Sequence, residues 1–188
     1  MADLRLFIAV ELSREVRELL AAVQRDLAAG GADVKWSAPE NIHLTLKFLG
    51  DTPEAEVTKL SAALDEAAAG CSAHVARLSE VGAFPDARRP RTIWVGLDEP
   101  TGQLAALQKS VERVTGYLVP PDPRGFTPHL TLGRTRSGRN VRQLSAMLDG
   151  YRLTTLLEVP VAEVLLIRSV LGRGGPAYTT LHRSPLGG

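Results

Sequence analysis

The tetrapeptide His43-Leu44-Thr45-Leu46 recurs as His129-Leu130-Thr131-Leu132, and the two copies hold half of the chain's four histidines. The chain has 188 residues, among them 28 leucines and 13 threonines. Composition alone would yield a second copy at another histidine with a probability of roughly 0.5%. In an extended strand, each copy turns its histidine and threonine to one face and its two leucines to the other. The leucines can enter a core, while an imidazole and a hydroxyl are held side by side on the opposite face. Two such strands across a groove would present two imidazoles and two hydroxyls to one ligand.

That set suits phosphate ester chemistry. With an unperturbed pKa near ~6.5, one imidazole can be neutral and accept a proton while the other is charged and donates one. Threonine hydroxyls and an arginine can hold non-bridging oxygens as negative charge develops. Arg134 lies five residues after His129, an odd step that points it to the opposite face of an ideal strand. A bulge or the strand end is needed to turn it inward. His74 and His182 have no such context and are read as structural. Neither copy has a second histidine or a carboxylate at metal-ligand spacing, so the expected chemistry is metal-free. No G-x-x-x-x-G-K-[ST] occurs, and the glycines of Gly172–Pro176 precede a strand, which reads as a hairpin turn.

The elements that must position these residues alternate between strand and helix patterns. Leu4–Leu12 reads as a strand, followed by Ser13 as N-cap and a helix over Arg14–Ala29, closed by Gly30-Gly31. An extended piece at Val34–Ser37 precedes the strand Ile42–Leu49, and a helix then runs from about Glu54 to Gly70. Strands are expected at Ala73–Val81 and Thr92–Leu97, a helix at Thr101–Gly116 and a strand at His129–Arg134. A helix at Asn140–Leu148 and strands at Arg152–Val159, Ala162–Leu171 and Ala177–Arg183 complete the chain. The order strand–helix–strand–helix–strand–strand occurs roughly twice, predicting two similar lobes that meet somewhere in 85–125.

Composition sets the outer bounds. Apolar residues make up 44% and charged residues 23%, the balance of a globular protein rather than a disordered or fibrous one. The net charge is +1, but residues 1–112 carry a net −5 and residues 113–188 a net +6. A cationic second half favours a phosphate-bearing ligand. The single Cys71 can form no internal disulfide. The apolar run Leu6–Val10 is too short for a signal segment or a membrane span, so a cytoplasmic setting with no membrane partner is expected.

Around the two tetrapeptides the chain resembles the two-histidine phosphoesterase superfamily, and within it the RNA 2′,3′-cyclic phosphodiesterases, or 2′–5′ RNA ligase-like proteins. Arg5-Leu6-Phe7-Ile8-Ala9 is similar to the family's opening strand. Lys35-Trp36 and Asn41–Gly50 resemble its first signature, and Phe126–Arg134 its second. Ser169, Leu171, Gly175-Pro176 and Tyr178 match its closing hairpin. Gly133 departs from the pattern, since relatives often carry alanine there.

The resemblance implies an α+β fold, a single bilobal domain over 1–188. Two pseudo-symmetric lobes, each an antiparallel sheet with outer helices, would flank a central groove. It implies hydrolysis of a 2′,3′-cyclic phosphate on RNA ends to a 2′-phosphate with no cofactor, and a monomer is expected. In this pattern His43 is the proton donor and His129 the proton acceptor, while Thr45, Thr131 and Arg134 hold the phosphate. Phe7, and more weakly Trp36, would stack on a terminal base. A weak reverse 2′–5′ joining of RNA ends fits the same chemistry. Hydrolysis of small cyclic or 2′,5′-linked nucleotides, or an RNA-end binding role, is the alternative.

Overall fold

A computed structural model describes residues 3–173 and 175–187; Gly174 of the expected Gly172–Pro176 turn lies outside them. The strands are β1 (Asp3–Val10), β2 (Val34–Trp36), β3 (Leu44–Pro53), β4 (His74–Phe84), β5 (Thr92–Asp98), β6 (His129–Thr135), β7 (Glu158–Val161), β8 (Glu163–Gly172) and β9 (Gly175–Pro185). The helices are α1 (Arg14–Ala28), α2 (Val57–Ala69), α3 (Gln103–Thr115) and α4 (Val141–Gly150). Helix α1 starts where expected, because the Ser13 side chain accepts from the Val16 N–H at 3.3 Å. Its buried residues Val16, Leu20, Val23 and Leu27 form one stripe at helical spacing.

The nine strands among the described residues form one antiparallel sheet in the order β7-β4-β5-β6-β3-β1-β8-β9, with β2 also paired to β6. The sheet divides at its middle, because β3 and β6 share a single residue pair, Leu44 with Leu130. The halves β3-β1-β8-β9 and β7-β4-β5-β6 are the two lobes of the expected α+β architecture. No single cut in 85–125 separates them. β4 precedes that interval yet lies in the second lobe, and β8 and β9 follow it yet complete the first. The crossover through α2 carries the chain from β3 to β4 in the second lobe, and the short β7–β8 connection returns it to the first.

One face of the sheet builds the main core. Leu6, Ile8 and Val10 of β1, Leu44 and Leu46 of β3, Ile93 and Val95 of β5, and Leu130 and Leu132 of β6 pack there with the buried helix residues. The other face carries a smaller apolar cluster of Phe7, Ala9, Leu165 and Ile167 against Tyr178. This explains why β1 is buried on both faces from Leu6 onward, which hides its alternation. Strand β7 is shorter than expected, since Leu153 and Leu157 pack against the core without joining a strand. Among the described residues, no helix is long and apolar enough to cross a membrane.

Candidate active site

The single Leu44–Leu130 pair fixes the geometry of both tetrapeptides. Antiparallel register then sets His43 beside Thr131 and Thr45 beside His129, with the leucines directed into the core. The two histidines occupy opposite corners of a four-residue square. The square sits on the face of the sheet opposite the main core, at the joint between the lobes.

A β-bulge follows the threonine in each copy. Ala9 pairs with Thr45 and Ile8 with Lys47, so Leu46 is the extra residue of β3. Trp94 pairs with Thr131 and Ile93 with Gly133, so Leu132 is the extra residue of β6. Each bulge shifts the alternation by one position. Arg134 therefore pairs with Thr92, on the same face as the Trp94–Thr131 and Gly96–His129 pairs. Its Nη1 donates to Thr92 Oγ1 at 2.9 Å. The inward turn that Arg134 needed is supplied by this bulge. In the first copy the same shift brings up Phe48, paired with Phe7 and 66% exposed. Phe48 is thus the symmetry counterpart of Arg134.

Each bulge is fastened from the core side. The buried Gln24 of α1 donates through Nε2 to the carbonyls of Leu132 at 2.8 Å and Ser37 at 2.7 Å. Beneath the first bulge, the buried Lys47 ammonium pairs with Glu112 of α3 and donates to the Val119 carbonyl at 2.7 Å. Gly133 lets β2 approach β6 closely. A Cβ there would stand 2.8 Å from Val34 Cγ1 and 2.9 Å from Trp36 Cε3, closer than side chains tolerate.

Both imidazoles are oriented in the same way. His43 Nδ1–H donates to the Asn41 carbonyl at 2.8 Å, and His129 Nδ1–H to the Thr127 carbonyl at 2.7 Å. A carbonyl only accepts, so each Nδ1 carries the hydrogen and each Nε2 is left for chemistry. Their surroundings differ. His43 stacks on Phe7, with centroids 4.6 Å apart at 25°, and meets the edge of Tyr178 at 5.4 Å. His129 meets the edge of Phe84, at 5.0 Å. Burial pushes the His43 imidazole down to about 4, against the opposing effect of its hydrogen bond to Asn41, and the nearby Arg17 charge adds to the depression.

The structure thus brings together His43, Thr45, His129, Thr131 and Arg134. Phe7 departs from its expected role. It is 3% exposed, with its ring covered by His43, so it supports an imidazole and offers no face to a base. Trp36 packs against the core beside Gly133 and is likewise no base platform. His182 binds Asp65 of α2 through Nε2 at 2.7 Å, a tie between β9 and α2, consistent with its structural reading. Phe48 and Tyr178 are additional members of the site face. Burial pushes the Tyr178 phenol up, while the charges of Arg5 and Arg134 oppose the shift. Phe48 could be found from the sequence only by carrying the bulge of one copy over to the other.

Comparisons with known proteins agree with the duplication. The LigT like Phosphoesterase family model matches twice, over residues 10–94 and 95–178, with one tetrapeptide in each match. The boundary between the two matches separates the two tetrapeptides but not the two lobes, whose strands interleave along the chain. An RNA 2′,3′-cyclic phosphodiesterase of Aquifex aeolicus is 32% identical over 192 residues, covering all of both chains. One from Thermus thermophilus is 34% identical, covering 98% of this chain and 91% of its own. Among solved structures, a Thermus thermophilus protein superposes with a TM-score of 0.80 at 30% identity, covering 98% of each chain. Escherichia coli LigT complexed with 3′-AMP gives 0.77 at 25% identity, again over 98% of each chain. Matched in both halves and along its whole length, the chain belongs to the LigT-like phosphoesterase family.

Proposed function

We propose that this protein hydrolyses the terminal 2′,3′-cyclic phosphate of RNA to a 2′-phosphate by paired-imidazole acid–base catalysis. The observation that carries the reading is the diagonal His–Thr square, with each Nδ1–H tied to a carbonyl and each Nε2 free. The phosphate lies between the rings, with its non-bridging oxygens held by Thr45, Thr131 and Arg134. His129 Nε2 takes a proton from the attacking water as the new P–O bond forms. The P–O3′ bond breaks, and protonated His43 gives its Nε2 proton to the departing O3′.

The donor role requires a charged His43, and burial alone holds that ring neutral near pH 7. The bound phosphodiester anion supplies the compensating charge, so substrate binding raises the His43 pKa. Phe7 and Tyr178 hold the ring in place. The site is built from one chain, which supports a monomeric enzyme, and the cytoplasm is the setting we assign to it.

The test is incubation of a cyclic-phosphate-ended RNA with the protein in excess chelator, followed by identification of the product end. A 2′-phosphate is expected. A 3′-phosphate, or an intact cyclic end restored to turnover by a divalent ion, would overturn the mechanism.

A further inference from the structure

Beside the square, on the second lobe, lies an open recess of about 530 Å³ lined by Arg91, Thr92, Arg134, Thr135, Arg136 and Ser137. Its frame is fixed by backbone contacts. Thr135 N–H donates to the Arg91 carbonyl at 3.0 Å, Thr135 Oγ1 to the Pro90 carbonyl at 2.7 Å, and Arg136 N–H to the Asp33 carbonyl at 2.8 Å. Among the described residues, no carboxylate lines it, and none of its three arginines takes part in an ion pair. Lys35, exposed and also without an ion pair, flanks Arg134 across β2. Three guanidinium groups left without carboxylates around one recess form a site for an anion.

Arg134 and Thr92 join this recess to the catalytic face, so the anion it takes is continuous with the reacting phosphate. The other way out of the square, past Phe48 and Tyr178, leads to Arg5, which faces Asp51 across the strand pair, whereas the recess gathers three arginines. A nucleic acid strand leaving the square therefore lays its charges over the second lobe. We infer that the recess seats the second phosphate of an RNA chain, the phosphodiester one linkage upstream of the reacting cyclic phosphate. The inference rests on the cyclic phosphodiesterase reading of the square. It makes the protein selective for RNA ends over cyclic mononucleotides.

The test uses two dinucleotides with the same cyclic-phosphate end, one with a natural internucleotide phosphate and one with a neutral methylphosphonate. The wild type should prefer the charged linkage by about tenfold, in KM rather than kcat, the worth of one charge-assisted contact. The folded double variant Arg91→Gln/Arg136→Gln should lose that preference, while Arg25→Gln on the exposed side of α1 should keep it. Absence of a preference in the wild type, or its survival in the double variant, overturns the recess assignment and leaves the catalytic reading standing. Failure of the wild type to cleave either dinucleotide overturns the catalytic reading, and the recess assignment with it. The change of linkage requires no mutation, so the test stands even where a variant is unstable.

Discussion

The two copies of the tetrapeptide share a backbone and differ in what surrounds it. Around His43 the neighbours are aromatic, with Phe7 beneath, Tyr178 at the edge and Phe48 in the position the bulge brings up. Around His129 stand the edge of Phe84, Trp94 beside Thr131, and Arg134 in the equivalent position. A duplicated strand therefore supplies two matched imidazoles, and the flanking residues make their surroundings unequal. The same contrast holds on the core side, where a neutral amide fastens one bulge and a buried ion pair the other.

The sharpest way to break the symmetry is to remove each imidazole in turn. His43→Ala and His129→Ala should each lower the hydrolysis rate by about 10²–10⁴-fold, the usual worth of one general acid or base. Initial rates on cyclic-phosphate-ended RNA check this. His74→Ala and His182→Ala serve as controls, and comparable losses at all four positions would defeat the paired assignment.

The next comparison sets the two bulge-directed residues against each other. Arg134→Ala should cost about 10²-fold in kcat/KM, because it removes charge from the developing phosphate oxygens. Phe48→Ala should cost far less on the same substrate. Equal losses would mean that the bulge does not separate a charged half from an apolar one.

Beneath the bulges, the fasteners should differ in stability rather than in rate. Glu112→Ala strands a buried Lys47 ammonium and should cost about 3–5 kcal/mol. Gln24→Leu, which leaves the Leu132 carbonyl still bonded to the Ser37 N–H, should cost roughly 1–2 kcal/mol. Denaturant titration of both variants orders them.

The last comparison is a pH dependence confined to one of the two histidines. The folded value of His43, about 4, lies below its ordinary value of about 6.5. Between these values the unfolded chain binds the proton that the folded protein refuses, so stability falls as pH drops through that window. The wild type should lose stability relative to His43→Gln on acidification from pH 6.5 to 4, as read by melting at matched ionic strength. Parallel curves would show that the ring is not desolvated.

Much of the layout follows from local pattern. Ser13 marks the start of α1 because its side chain serves the orphan N–H of Val16. The alternation in His-Leu-Thr-Leu places imidazole and hydroxyl on one face because a strand has no other way to separate its leucines from water. The strong pattern of β3 nonetheless begins at Leu44, one residue after the histidine it was expected to contain. Phe7 defeated local reading, since its burial comes from Leu165 and Ile167 of β8, far along the chain.

The sequence by itself determined that two histidines and two threonines would be displayed as matched pairs, because repetition and period-two alternation are properties of the chain. Tertiary structure alone decided that the pairs meet on a diagonal, since that depends on one cross-strand contact between residues 86 positions apart, Leu44 and Leu130. It also decided that Arg134 shares a face with His129 and Thr131, and that Phe48 takes the equivalent position in the first copy. A bulge is a mismatch between neighbouring strands, held here by Gln24 and Lys47 from the core, and no single strand carries the information that fixes it.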